Sequence, residues 1–349
     1  MLYRDRSRTQ PTVRESMTAP THDQQLALLT TMLRMRRFEE TVIHLAQAHD
    51  YIGRQHLHIG HETTGGAVAA IFKHGDKMHT THRNHGFLIA CGADPGKAYA
   101  EILGRAGGLN GGKGGTWHLC DAAHGISSTS AMVGGSIGLS VGSAFAMKTL
   151  KTDNVSVAHF GDGTLDEGIA YEALNMASIF ELPVLFLCEN NSKAGERPSS
   201  MLAAKALRDV PLALSIPSSL VNGADAEATL AAVQEAAQQI RKTGKPVFLE
   251  VTLERWPGSH QVTAAFPTGV TDIEMAWDES KITGKHADWI KRFDPLRLYV
   301  KRLVETKAMT KQDILALDKK VQDDIAKARA FAEASPYPKT EVALQGVFA

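Results

Sequence analysis

Apolar residues recur at helical spacing from Leu26 through Leu29, Met32, Leu33, Met35, Phe38, Val42, Leu45 and Ala46, and Asp23 ahead of them suits an N-cap. The pattern predicts a helix over 23–49. Shorter helical patterns fall at 64–73 and 94–106. A β-rich run at 155–160 leads into the turn Gly161-Asp162-Gly163, a helical stretch at 166–180 and, after Pro183, an apolar strand at 184–188. A second unit has Leu220 and Val221, the turn Asn222-Gly223, a helix over 226–242 and a strand over 247–251. Strands alternating with helices predict an α/β fold, a mainly parallel sheet with helices on both faces. Residues 252–292 read as irregular, with Trp256, Trp277 and Trp289, and helical patterns return at 295–305 and 311–333. The expected division is a polar, mobile arm over 1–21, an α/β domain over 22–292 and a helical extension over 293–349.

Composition narrows the class. The 349 residues are 43% hydrophobic and 22% charged, with a formal net charge of +0, so neither disorder nor a general affinity for nucleic acid or anionic membrane is expected. Cys91, Cys120 and Cys188 are too scattered for a disulfide framework and fit a reducing compartment. Arg4, Arg6, Arg8 and Arg14 precede no apolar stretch of secretory type, and no run of 18 apolar residues occurs, which predicts a soluble, cytoplasmic protein.

Chemistry enters at two turns. Gly161-Asp162-Gly163 follows one predicted strand and Asn190-Asn191 follows the next. Each alone reads as an ordinary turn, but in a parallel sheet both fall at carboxyl ends of strands, the edge where ligands of open α/β sheets bind. Magnesium takes few protein oxygens plus substrate phosphates. Asp162 would supply a carboxylate, Asn191 an amide oxygen and a backbone carbonyl near Lys193 a third ligand. Gly161 and Gly163 let the turn approach phosphates, and the helix that follows offers unpaired N–H groups. The dense glycines between 104 and 143, among them Gly107, Gly108, Gly111, Gly112, Gly114, Gly115, Gly134, Gly135, Gly138 and Gly142, point to backbone that approaches a ligand or another chain closely. The histidines at 56, 58 and 61, with Glu62, and those at 79, 82 and 85 raise zinc as an alternative, which needs three or four converging ligands.

Several motifs together resemble a known family over roughly residues 30–330. They are Gln55-His56-Leu57-His58-Ile59-Gly60-His61-Glu62, Thr81-His82-Arg83-Asn84-His85-Gly86, Gly111-Gly112-Lys113-Gly114-Gly115, Met132-Val133-Gly134, 161–168, Asn175-Met176-Ala177, Leu182-Pro183-Val184 and Glu189-Asn190-Asn191. The chain resembles thiamine-diphosphate enzymes, specifically the alpha subunits of two-chain pyruvate, branched-chain 2-oxo acid and acetoin dehydrogenases. The resemblance implies the thiamine-diphosphate-binding fold, thiamine diphosphate and Mg2+ as cofactors, and decarboxylation of a small 2-oxo acid with acyl transfer to a lipoyl-bearing acyltransferase. It implies a beta subunit that completes an α2β2 assembly and supplies the glutamate that activates the cofactor.

The resemblance also assigns residues. His56 becomes an active-site imidazole, and His58 and His61 structural or partner-facing groups. His82 stands where many relatives have tyrosine, Arg83 matches a diphosphate-binding arginine, and His85 lies near the cofactor as a proton-transfer or positioning group. Ala131, in place of the usual glycine, and Val133 would bind the aminopyrimidine through their backbone, and Gly163 and Thr164 join Asp162 around the diphosphate. Arg255-Trp256-Pro257-Gly258-Ser259-His260 is similar to a loop motif whose histidine assists acyl transfer, with one residue inserted before His260. Lys193 replaces the usual tyrosine, and 194–200 depart from the pattern. Thiamine-dependent acyl transfer without a lipoyl partner and a non-catalytic assembly subunit are the competing readings.

Overall fold

The computed structural model describes residues 19–48, 55–191, 204–257 and 270–345. The sheet has six strands, β1 (Lys77–Thr81), β2 (Ile126–Ser130), β3 (Ser156–Gly161), β4 (Val184–Asn190), β5 (Ser218–Asn222) and β6 (Val247–Thr252). They lie in the order β2-β1-β3-β4-β6-β5, and every pairing is parallel. The helices are α1 (His22–Ala48), α2 (Glu62–Ile71), α3 (His85–Ala90), α4 (Pro95–Ile102), α5 (Gly135–Thr149), α6 (Gly168–Ile179), α7 (Asp209–Ala213), α8 (Ala226–Thr243), α9 (Ala287–Arg292), α10 (Pro295–Glu305) and α11 (Lys311–Ala334).

Strand side chains alternate between faces, and here both faces are dry. On β4, Leu185 and Leu187 join the core beneath α1, α2 and α8, while Val184, Phe186 and Cys188 join a second core with α5 and α6. That double burial explains why β4 reads as an unbroken apolar run. None of the three cysteines forms a disulfide; Cys188 is buried and Cys91 and Cys120 partly so.

Four elements differ from the sequence expectation in ways that matter here. The polar strands β1 (KMHTT) and β2 (ISSTS) carry no apolar alternation to reveal them. Helix α5 lies inside the glycine-rich stretch, where small residues let it sit on β1 and β3. The pattern at 94–106 yields the shorter α4, because Leu103 and Gly104 leave the helix and Gly104 takes φ +65°.

Helix α1 is held by buried charge as well as by its apolar stripe. Arg36, wholly buried, bonds Glu62 at the start of α2 (2.6 Å), Asp294 at the N-cap of α10 (2.8 Å) and Thr271 (3.1 Å). Arg37 pairs with Asp318 of α11 and with Glu40, both at 2.7 Å. Breaking one side of a buried pair strands the other charge, so Arg36→Ala should lower unfolding free energy by about 3–5 kcal/mol in urea titrations. Arg302→Ala, which removes a half-exposed partner of Glu227, should cost about 1 kcal/mol or less. Equal, small losses in the two variants would contradict this account of α1.

Candidate functional site

β1 has β2 on one side and β3 on the other, so the chain crosses over in opposite directions around it. In a doubly wound sheet such a switch opens a crevice at the carboxyl ends of the strands. A cleft of about 180 Å³ lies there, lined by Thr81, His82 and Arg83 after β1, Ser130, Met132 and Val133 after β2, and His159, Gly161, Gly163 and Thr164 at β3. Glu189 and Asn191 at β4 and Arg255 beyond β6 complete it.

The register brings the two predicted turns together. Gly161 pairs with Glu189 across β3 and β4, so Asp162 and Asn191 leave neighbouring strands at one edge. Asp162 is buried as the first residue of a short 3-10 turn (Asp162–Asp166), and this turn, rather than α6 itself, presents its N-terminus to the cleft. An added Cβ at Gly163 would meet nothing within 4 Å, which leaves that side of the turn open. Of the two asparagines, Asn190 is engaged elsewhere: its amide donates to Glu250 (2.8 Å) and its carbonyl accepts from Leu253 N (2.9 Å). Asn191 therefore faces the cleft. Val133 lines the cleft, half exposed, and Ala131 sits in the tight turn just before it, where Met132 N donates to Ser130 Oγ (3.1 Å). Lys193 and His260 lie outside the described residues.

The electrostatics are those of an anion site. Arg83 is buried, donates to the Leu57 carbonyl and forms no ion pair among the described residues. Burial, then the charge of Arg255, pull its pKa down to about 10, which leaves it protonated at neutral pH. Arg255 was quoted in the sequence only as part of the His260 motif; the structure puts it on the cleft wall with its Nε buried and unpartnered. Two guanidiniums that no carboxylate pairs directly repel each other, an effect that the charges of Glu189 and Glu39 offset only in part, and their planar forks match phosphate oxygens.

Beneath this wall lies a buried polar network that motif reading did not reveal. Glu189 accepts from His61 Nδ1 (2.7 Å), His159 Nε2 (3.0 Å) and the Thr64 hydroxyl. Burial pushes the Glu189 pKa up, but His61 and His159 overcome it and hold the carboxyl well below its usual range. His58 and His61 are fully buried, not partner-facing, and desolvation lowers both pKa values. The other histidine series disperses: His79 bonds Ser128 (2.6 Å) and Ser143 (2.7 Å), while His82 turns to His56.

His56 stands at the rim, partly exposed, with its ring centroid 4.4 Å from His82 and 5.8 Å from Trp117. His85 stands behind the wall. Its ring is buried, with Nδ1 3.1 Å from Glu39 and Nε2 2.8 Å from the Thr116 hydroxyl, which in turn meets Gln55 at 2.6 Å. Glu39 also accepts from His58 N (2.8 Å), so one carboxylate of α1 sets both His85 and the strand-like segment that carries His56. Of the two roles expected for His85, this geometry supports positioning.

Comparison with known proteins gives the family. The family described as "Dehydrogenase E1 component" matches residues 30–341. The chain is 34% identical over 330 residues to the alpha subunit of acetoin:2,6-dichlorophenolindophenol oxidoreductase of Bacillus subtilis (strain 168), covering 94% of each chain. It is 33% identical over 308 residues to the pyruvate dehydrogenase E1 component subunit alpha of Rhizobium meliloti (strain 1021), covering 88% of this chain and 85% of that one. A third relative, of the same name from Rickettsia felis, is 31% identical over 322 residues, covering 91% and 94%. No helix among the described residues is long and apolar enough to cross a membrane.

Burial, then the charge of Arg83, lower the pKa of His82 from 6.5 to about 4. The unfolded chain takes up this proton near 6.5 and the folded chain only near 4, so the group's contribution to stability falls as pH drops through that window. NMR of ring-labelled histidine, assigned with His82→Asn, should show a neutral His82 ring at pH 5. A midpoint near 6.5 would contradict the geometry of the rim.

Proposed function

The chain belongs to the Dehydrogenase E1 component family as the alpha-type subunit of a thiamine-diphosphate-dependent 2-oxo acid dehydrogenase, and from that premise we propose that its cleft holds the magnesium diphosphate end of the cofactor. The observation that carries this reading is the pair of cleft guanidiniums, Arg83 and Arg255, neither of them ion-paired among the described residues, with an open glycine turn beside them. The donor set fits. Asp162, Asn191 and a main-chain carbonyl at Lys193 are hard oxygen donors of the kind magnesium takes alongside phosphates. The 3-10 turn adds main-chain N–H groups at Gly163 and Thr164.

When bound, thiamine diphosphate supplies the electron sink for loss of carbon dioxide from a 2-oxo acid. The residues of this chain bind, orient and manage protons around it. Arg83 and Arg255 clamp the diphosphate, and Ala131 and Val133 offer backbone groups to the aminopyrimidine. His82, kept neutral, adds no further positive charge and packs edge-on against His56, the imidazole with access to the reacting end. His85 holds that imidazole's segment through Thr116 and Gln55. His260 serves acyl transfer to an acceptor such as the lipoyl group of an acyltransferase.

A beta subunit completes the site in an α2β2 assembly. Next to the cleft, the turn before α5 exposes Met132 (77%) and Val133, and α5 and α6 expose Leu139, Phe145, Ile169, Met176 and Ile179 (66%), an apolar face broad enough to need covering. Gly142 on the same face has no neighbour within 4 Å of an added Cβ, which suits close approach by another chain. In this reading the partner's pyrimidine-binding domain sits there and brings the activating glutamate.

Calorimetry on the enzyme co-expressed with its beta chain tests the assignment. Asp162→Ala should abolish magnesium-dependent cofactor binding, because the ion loses its one protein carboxylate. Arg83→Ala should weaken binding by about 1.5–3 kcal/mol, the scale of hydrogen bonds to charged groups. Unchanged affinity in Asp162→Ala would overturn the proposed site.

A further inference from the structure

The glycine-dense stretch between α4 and β2 wraps around a side chain of its own molecule. Glu101, fully buried near the end of α4, accepts three main-chain N–H bonds on one carboxylate: Asn110 (2.7 Å) and Gly112 (2.8 Å) on Oε2, and Gly114 (2.6 Å) on Oε1. The glycines make this closure possible. A Cβ at Gly108 would lie 2.3 Å from Glu101 Oε2 and 2.7 Å from its Cα, and Gly112 takes φ +80°. At Gly108 the close approach expected of these glycines is therefore to Glu101.

From this nest the chain runs directly into the turn Gly115–Trp117 at the rim of the cleft. Thr116 there bonds His85 and Gln55, its carbonyl accepts from Asn84 Nδ2 (3.2 Å), and Trp117 lies against His56. The near side of the loop is tied to the C-terminal segment, with Gly107 N donating to Ser335 Oγ (3.0 Å) and Ala106 N to the Pro336 carbonyl (2.8 Å). Hydrogen bonds to an ionised acceptor are roughly twice as strong as neutral ones, and three on one carboxylate fix an irregular loop where no strand or helix does.

We propose that Glu101 is a positioning residue of the active site: its carboxylate anchors the 108–114 loop so that Thr116 and Trp117 meet Gln55 and His56 in register. The proposal rests on the reading of His56 as an active-site imidazole. Glu101→Gln preserves shape but replaces one acceptor oxygen with an NH2 group that faces main-chain N–H donors. The Trp117 end of the loop should then loosen, while Asp162, Asn191, Arg83 and Arg255 are carried on other segments.

The test uses the enzyme co-purified with its beta chain. Glu101→Gln should bind magnesium thiamine diphosphate with affinity close to wild type, yet lose about 10- to 100-fold in kcat, the scale of a small misplacement of catalytic groups. Acrylamide quenching assigned to Trp117, taken as the difference between each protein and its Trp117→Phe version, should increase. Wild-type kcat and wild-type quenching in Glu101→Gln would overturn the proposal. Should that variant fail to assemble, hydrogen exchange on the wild-type enzyme decides: slow exchange at Asn110, Gly112 and Gly114 supports the anchor, and unprotected rates at all three overturn it. Absence of turnover in the wild-type assembly would count against the reading of the site, while the quenching and exchange readouts would still decide the anchoring.

Discussion

Because all six strands run the same way, each must be followed by a covering segment that returns the chain to the opposite edge, and all carboxyl ends open on one side. The switch between β1 and β3 then leaves a crevice on that side which neither crossover fills. The cleft-lining groups proposed for cofactor binding reach it from strand ends: Arg83 from β1, Val133 from β2, Gly163 and Thr164 from β3, Asn191 from β4 and Arg255 from β6, with Asp162 buried beside them at the end of β3. Separation in sequence is thus removed by topology, and the residues need no local clustering to act on one ligand.

What the sheet edge collects is an imbalance of charge. Elsewhere the buried arginines are matched: Arg36 has Glu62 and Asp294, Arg37 has Glu40 and Asp318, and Arg297 has Glu279. Arg83 and Arg255 form no such pair among the described residues, although Glu189 lies in the same wall. It is held by hydrogen bonds from His61, His159 and Thr64, so it acts on Arg83 through its charge without forming an ion pair with it. The network keeps an anion close enough to tolerate the guanidiniums in a buried place, while leaving their phosphate-binding edge for a ligand.

The legible and illegible parts of this molecule divide by the range of the signal. The β3–α6–β4 unit was readable because its turn residues and apolar runs are contiguous, and the Gly-Asp-Gly and Asn-Asn turns fell where a parallel sheet puts them. β1 and β2 were not, since Thr, Ser and His dominate them and tertiary contacts alone settle their state. Helix α5 was masked by its glycines, which serve packing against the sheet. At the site, Arg83, His82, Val133, Thr164 and Asn191 do meet at one cleft, but His85 is turned away from it by Glu39, a residue 46 positions earlier. Nothing near His159 or Glu101 in the chain marks them, and Arg255 stands out only as the first residue of the motif that ends in His260; their significance comes from partners supplied by distant segments.

The account stands or falls on whether the cleft recognises a diphosphate rather than the rings attached to it. Titration of the co-purified α–β enzyme with thiamine diphosphate and with thiamine, each with and without magnesium, measures this directly. Thiamine diphosphate should bind only with magnesium present, and thiamine should bind far more weakly whether or not magnesium is added, because Arg83, Arg255 and the Asp162–Asn191 edge have nothing to hold in it. Comparable affinity for the two compounds, or binding of thiamine diphosphate that ignores magnesium, would contradict it.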